Sequence, residues 1–157
     1  MVLVLVALVG VFLSSYLALY KLGYIGHLAC AAGTCERVQS SRWSILFGVP
    51  VAAWGVAFYV TTLIIAVAGT LPGRTAARPI AWALLALTGW GLVFSAYLTA
   101  LELFVIHAIC EYCVSSAVLV LVMFCLALAD LRDRPPAGAD EGPGADDGPI
   151  PGASATR

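Results

Sequence analysis

The stretch Cys110-Glu-Tyr-Cys113 is followed at once by an apolar run, Val114 to Leu131, that is long enough to cross a membrane. Two thiols three residues apart at the start of a helix can close a disulfide across one turn. The helix N-terminus also favours the thiolate form. Zinc sites use the same spacing, so the motif alone leaves both a redox pair and a metal pair open.

The composition is that of a membrane protein. Of the 157 residues, 62% are hydrophobic and 11% are charged, whereas roughly a quarter are charged in ordinary globular domains. The formal net charge is -1, and no basic patch is present of the kind that binds nucleic acid. We therefore predict a polytopic membrane protein whose partners do not include nucleic acid.

Four apolar segments are long enough to be transmembrane helices. They run from Val2 to about Leu22, Val49 to Gly69, Ile80 to Ile106 and Val114 to Leu131. The predicted fold is an all-α integral membrane protein, a four-transmembrane-helix bundle. A loop separates helices 1 and 2, and we expect a short surface helix at Glu36 to Trp43 within it.

The chain divides into a membrane domain, residues 1–131, and a tail, residues 132–157. The tail is rich in Pro, Gly, Ala and Asp and has almost no large apolar residue, so we predict that it is disordered. Four spans put both termini on one side of the membrane. The positive charges on that side are Arg74, Arg78, Arg132 and Arg134, against Lys21, Arg37 and Arg42 on the other side. This bias favours cytoplasmic termini and an extracytoplasmic first loop.

Four of the five cysteines form two close pairs. We call Cys30 and Cys35 the loop pair, and Cys110 and Cys113 the helix pair. Both pairs are predicted on the oxidising face, where disulfides persist. A purely structural Cys-x-x-Cys disulfide closes a small ring and stabilises little. We expect the fifth cysteine, Cys125, to be a buried, small apolar residue.

The arrangement of the two pairs predicts an electron relay. Thiol–disulfide exchange passes through mixed disulfides, so electrons can move from the loop pair to the helix pair. A dithiol at the membrane boundary is well placed to reduce a lipid-soluble quinone. The sequence has no flavin or haem motif. A four-cysteine zinc site is disfavoured because such sites usually join two hairpins of a soluble fold, so we predict no metal. Glu102, near the end of the third span, is interpreted as an interface residue or an internal hydrogen-bond partner.

These motifs together resemble the vitamin K epoxide reductase family over about Val2 to Leu131. The quoted segments are Cys30 and Cys35, Glu36-Arg-Val-Gln-Ser-Ser-Arg-Trp43, Leu46-Phe-Gly-Val-Pro50, Trp54-Gly55 and Cys110-Glu-Tyr-Cys113. Their order supports the resemblance, because the related DsbB-type quinone reductases have Cys-x-x-Cys first.

The resemblance implies a role for each site residue. It implies that Cys113 is the thiolate that attacks and reduces the quinone, and that Cys110 is its exchange partner, attacked by Cys35. Cys30 would exchange with an external thiol protein. Ser41 matches a family Ser/Thr whose hydroxyl can hydrogen-bond a quinone carbonyl, and a local role in capping the surface helix is the alternative.

Two further positions are candidates for the quinone pocket. On the family match, Trp54 and Phe58 either line that pocket or simply pack. The sequence departs from the animal enzymes at Ala117, where they have Tyr, and at Val51, where they have Asn. Both departures disfavour epoxide reduction, and the Phe-Gly-Val-Pro segment and the near-minimal loop are similar to those of bacterial members.

The resemblance therefore implies a thiol oxidoreductase that supports disulfide formation. Its electron acceptor would be a quinone, menaquinone by preference and ubiquinone as the alternative. Its partner would be a separate, DsbA-like protein of the thioredoxin fold, and it would contact membrane lipid. Two other functions stay open. One is a vitamin K epoxide or quinone reductase fed by other reductants, and the other is a non-catalytic membrane protein with structural disulfides.

Overall fold

Four long helices form the body of the protein. The computed structural model describes residues 1–30, 34–71 and 78–133. In chain order the helices are α1 (Val2–Lys21), the short α2 (Cys35–Ser40), α3 (Val51–Ala68), α4 (Arg78–Leu101) and α5 (Glu111–Arg132). By length and composition, α1, α3, α4 with its extension, and α5 are each able to cross a membrane. The predicted all-α membrane bundle is confirmed.

The third membrane helix ends in an unusual turn. After α4 the chain continues as a π-helical segment, Glu102–Ile106. His107 then adopts a left-handed conformation (φ 52°), which ends the helix. Cys110 is the N-cap residue of α5. The helix pair therefore begins the fourth membrane helix, as the sequence predicts, and it follows a π segment of the kind that often marks functional sites.

The first loop is folded back over one end of the bundle. The predicted surface helix is present as α2, but it ends at Ser40 because Ser41 is extended (φ -66°, ψ 154°). A 3₁₀ turn (Arg42–Ser44) follows. Two short antiparallel strands, β1 (Ile45–Leu46) and β2 (Val49–Pro50), then lead into α3.

Among the described residues, three clusters of buried side chains lie between the helices. The first, at the end that carries the loop, contains both Cys35 and Cys110. The second centres on Tyr59 and Met123, and the third on Leu84. In the described part of the chain, α1 packs mainly on α3, and α4 packs mainly on α5. We call the first cluster's end the loop end.

The prediction for Cys125 is wrong, because its side chain is exposed on the surface of α5 and not buried in the bundle. A helix surrounded by lipid is apolar on every side, so hydrophobicity does not tell which face points inward. The predicted tail falls almost entirely outside the described residues, as do Arg74 and Arg134. Within them, α5 continues to Arg132.

Candidate active site

The loop pair is oxidised. Cys30 and Cys35 form a disulfide with their Cα atoms 6.3 Å apart. Cys35 is the first residue of α2 and is fully buried, whereas Cys30 is half-buried. The two sulfurs therefore differ in access, and Cys30 is the one within reach of a molecule outside the bundle.

Hydrogen bonds hold the loop pair against the helix pair on both sides. The Thr34 hydroxyl, next to Cys35, donates to the backbone carbonyl of Ile109 at 2.6 Å. The Tyr112 hydroxyl donates to the carbonyl of Ala29 at 2.6 Å, next to Cys30. Tyr112 in turn packs on the ring of Tyr16, with 5.4 Å between centroids. The residues that flank the two motifs therefore bind each other.

The helix pair is reduced and lies beneath the loop. Cys110 is fully buried, and Cys113 is half-buried in the first turn of α5. Cys110 and Cys35 belong to the same buried cluster, and Cys30 and Cys113 pack against it. The structure thus brings all four paired cysteines to one place, which is the arrangement that exchange between the pairs needs.

The local electrostatics distinguish the two sulfurs of the helix pair. The pKa of the Cys110 thiol is lowered, chiefly because the Cys113 thiol donates a hydrogen bond to its sulfur. Burial opposes this shift, and backbone N–H groups of the first turn of α5 support it. Of the two sulfurs, Cys110 is therefore the one whose thiolate this arrangement makes easier to form.

A buried carboxylate lies directly below the helix pair. Glu102, the first residue of the π segment, is 4% exposed. One of its oxygens accepts a hydrogen bond from the backbone N–H of Cys110 at 3.1 Å. Its side chain is also within hydrogen-bond reach of the Cys113 thiol. Of the two predicted roles for Glu102, the internal hydrogen bond is the one that the structure contains.

A cavity of about 480 Å³ opens beside Cys113. This volume lies within the usual range for small-molecule sites. The predicted pocket residues Ser41, Trp54 and Phe58 all line it, together with Cys113 and Glu102. Most of the remaining lining is apolar, from α1, α3, α4 and α5. The other three paired cysteines lie outside the described lining.

Several polar groups in and near the cavity already have hydrogen-bond partners. The Ser41 hydroxyl donates to the Val38 carbonyl at 2.7 Å, so it would have to rotate to donate to a ligand. Deeper in the bundle, the Tyr59 hydroxyl lies 2.7 Å from the Ser116 hydroxyl. Lys21 binds the carbonyl of Gln39 and the hydroxyl of Ser44, which fixes α2 to the end of α1.

These residues fit a quinone. Apolar walls suit an aromatic ring and a lipid tail, the Ser41 hydroxyl can reach a carbonyl oxygen once it rotates away from Val38, and a thiol lies at the cavity wall. A bound quinone would supply a two-electron acceptor at this position. The residues that hold it would be Ser41, Trp54 and Phe58, with Cys113 at the reacting end.

Glu102 was predicted only as an interface residue or an internal hydrogen-bond partner, and neither Thr34 nor Tyr112 was predicted as a site residue. A carboxylate inside a long apolar run was the available signal for Glu102, because such residues are functional candidates by default. The sequence gives no indication of the contacts of Thr34 and Tyr112, because their hydrogen-bond acceptors are backbone carbonyls far away in the sequence.

Comparison with known protein families gives an independent result. A model described as the Vitamin K epoxide reductase family matches residues 1–128. The match covers all four membrane helices almost completely, both cysteine pairs and every residue named above as lining the cavity.

Proposed function

The chain belongs to the vitamin K epoxide reductase family, and from this membership and the site geometry we propose that it is a quinone-dependent thiol oxidoreductase of the membrane. It takes electrons from the thiols of a separate, DsbA-like protein of the thioredoxin fold and passes them to a quinone. The net effect is to supply disulfide bonds to other proteins. One observation carries the proposal: Cys113 lines the cavity, while Cys35 and Cys110 share the buried cluster behind it.

The relay begins at Cys30, the more accessible cysteine of the loop pair. A thiolate of the partner attacks Cys30, and a second partner thiol releases the partner as a disulfide, leaving Cys30 and Cys35 reduced. Cys35 then attacks Cys110 in the oxidised helix pair, and Cys30 attacks Cys35 to restore the loop disulfide. Two electrons have now moved to the helix pair.

At this point of the cycle the loop pair is joined and the helix pair is reduced, and the Cys30–Cys35 disulfide beside free Cys110 and Cys113 supports such a state. Cys113 next transfers the two electrons to the quinone, and Cys110 attacks Cys113 to form the helix disulfide. The lowered pKa of Cys110 supports this second role, because it makes the attacking thiolate easier to form. Ser41 stabilises the developing charge on a quinone oxygen.

The quinone is menaquinone by preference and ubiquinone as the alternative. Both have an apolar tail that suits the apolar lining of the cavity. Val51, which also lines the cavity, replaces the Asn of the animal enzymes. This difference favours quinone over epoxide as the substrate, because an amide donor is missing.

The proposed orientation has both termini in the cytoplasm and the loop end outside. Arg78 and Arg132 lie at the end of the bundle that carries the termini, and this supports it. Labelling Cys30 in whole cells with a membrane-impermeant maleimide, after reduction, tests the orientation. Labelling of intact cells is expected, and labelling only after lysis would reverse the assignment.

The central experiment uses the purified protein in lipid nanodiscs with a menaquinone and a reduced thioredoxin-fold protein. Wild type is expected to reduce the quinone and to oxidise the partner one for one. Cys113→Ala should abolish both reactions. Cys125→Ala is the matched control, because it removes a thiol from the same helix at an exposed position away from the cavity.

Each outcome assigns a function. Quinone reduction that persists in Cys113→Ala would overturn the proposed mechanism. Turnover of vitamin K epoxide by the wild-type protein would favour the reductase alternative. Inactivity of the wild type towards both quinones, with the loop disulfide still formed, would favour the non-catalytic alternative.

A further inference from the structure

Quinone reduction by a dithiol needs a route for protons as well as for electrons. The two thiols lose two electrons and two protons, and the quinone gains both to become a quinol. Cys113 is the paired cysteine that lines the cavity, so its proton is the one that must leave beside the quinone. The question is which group accepts it inside an apolar cavity.

Glu102 meets the three geometric requirements for such a group. Its side chain lies within hydrogen-bond reach of the Cys113 thiol, whose single proton can turn from the Cys110 sulfur to the carboxylate. It is 4% exposed, so water does not compete for its protons. It also lines the cavity in which the quinone would bind. A carboxyl group at the end of an apolar run is costly to keep in a membrane helix unless it has a function.

We propose that Glu102 carries a proton from Cys113 to the quinone, an inference that rests on the proposed function. As the Cys113 sulfur donates its electron pair, its S–H bond breaks and the proton moves to the Glu102 carboxylate. The carboxyl then gives this proton to a quinone oxygen. The second proton enters from water at the loop end, in exchange for the one that Cys110 released when it became a thiolate. The products are the Cys110–Cys113 disulfide and the quinol.

A structural role is the competing explanation. Glu102 accepts the backbone N–H of Cys110, so it caps the first turn of α5. Glu102→Gln separates the two roles, because its amide oxygen can still accept this hydrogen bond. The amide has nearly the same size and shape, but it does not accept and release protons.

The first measurement is steady-state quinone reduction with a small dithiol as the electron donor, so that partner binding plays no part. General acid–base groups contribute about 10²–10⁴-fold to rates. Glu102→Gln is therefore expected to lower kcat by roughly 100-fold or more, with the KM for quinone within about threefold of wild type. Glu36→Gln is the control, because Glu36 is a half-exposed acidic residue beside the loop pair. It should keep full activity.

The second measurement does not involve quinone. Reduced protein is treated with a small uncharged alkylating reagent, and labelling of Cys113 is followed by mass spectrometry. Alkylation uses the thiolate present at equilibrium and needs no proton donor. Its rate in Glu102→Gln should stay within about threefold of wild type or exceed it, because a negative charge beside the sulfur has been removed.

The outcomes separate this inference from the proposed function. Wild-type activity that depends on Cys113, together with unchanged kcat in Glu102→Gln, would overturn the proton role and leave the proposed function intact. A parallel fall in kcat and in alkylation of Cys113 would assign Glu102 to structure alone. A third test adds formate, a small carboxylate, to Glu102→Ala, and partial recovery of kcat is expected. Formate should not restore the activity of Cys113→Ala. Absence of recovery in Glu102→Ala, in protein whose Cys113 alkylates normally, would contradict the proton role.

Discussion

Replacing Gly91 with alanine should displace Phe58 in the wall of the cavity beside Cys113. A Cβ at Gly91 would lie 2.5 and 2.7 Å from two ring carbons of Phe58, and 3.3 Å from a methyl of Val120. Carbon atoms in contact prefer about 3.5–4.0 Å. The Phe58 ring must therefore move by about 1 Å, and Phe58 lines the cavity.

The magnitude follows from two terms. Overpacking of this kind costs typically about 1–3 kcal/mol. Replacing a glycine inside a helix with alanine stabilises the folded state by about 0.5–1 kcal/mol. For the ligand, burial against a phenylalanine is worth about 1.5–3 kcal/mol. If the ring moves by up to about 1 Å from its contact distance to the ligand, about a quarter to a half of the contact energy is lost. The loss of about 0.5–1.5 kcal/mol corresponds to a rise of about 2–10-fold in the KM for quinone.

Gly89→Ala is the matched control, because it makes the same change one half-turn earlier in α4. Its Cβ would lie 3.4 Å from a ring carbon of Phe124, which is an ordinary contact. The helix-propensity gain is common to both variants and cancels. We expect Gly91→Ala to be less stable than Gly89→Ala by about 1–3 kcal/mol.

Both quantities can be measured on the same preparations, the unfolding free energy by denaturant titration in detergent and the KM by quinone reduction. Phe58→Leu combined with Gly91→Ala should recover stability, because it removes the ring carbons that the new methyl meets. Equal stability and equal KM in Gly91→Ala and Gly89→Ala would refute the packing of Phe58 against Gly91 and its place in the cavity wall.

Two further predictions concern the cysteines. Cys113→Ala removes the hydrogen bond that lowers the pKa of Cys110, while burial still raises it, so the Cys110 thiolate should form at higher pH than in wild type. The pH profile of Cys110 alkylation measures this, and an unchanged profile would contradict the hydrogen bond. Thr34→Val removes a hydroxyl that ties the loop pair to the carbonyl before Cys110, at a cost of about 1 kcal/mol. Exchange between the two pairs, followed by quenched-flow alkylation, should slow by up to about fivefold, and Thr70→Val, remote from both pairs, should leave it unchanged.

Most of the fold could be predicted from hydrophobicity and from the length of the apolar runs. Each membrane helix must satisfy its backbone groups internally and cover about 30 Å of hydrocarbon, so an apolar run predicts a span with few alternatives. Pro50 and Cys110 lie just before α3 and α5, where the sequence places the helix starts. The end of α2 at Ser40 was missed, because a local serine bond to Val38 competes with helix there.

The site was predicted in composition but not in contacts. Cysteine spacing and the family resemblance singled out the two pairs and Ser41. The position of Glu102 beneath Cys110 depends on the π segment, which shifts the register of the last turn of the third membrane helix, and the sequence carries no rule for that shift. The outward orientation of Cys125 could not be predicted either, because every face of α5 is apolar.

The proposed relay requires that a disulfide can form between Cys35 and Cys110. A Cys30→Ala/Cys113→Ala variant leaves Cys35, Cys110 and Cys125, and the disulfides of the purified protein can be mapped by mass spectrometry without reduction. Because Cys35 and Cys110 are buried in one cluster, mild oxidation should join them within each molecule. Free thiols at both positions, in protein that still folds, would contradict the relay. The companion variant Cys35→Ala/Cys113→Ala leaves Cys30 with Cys110. If its Cys30–Cys110 bond were the main product and formed faster than the Cys35–Cys110 bond of the first variant, this would also contradict the relay.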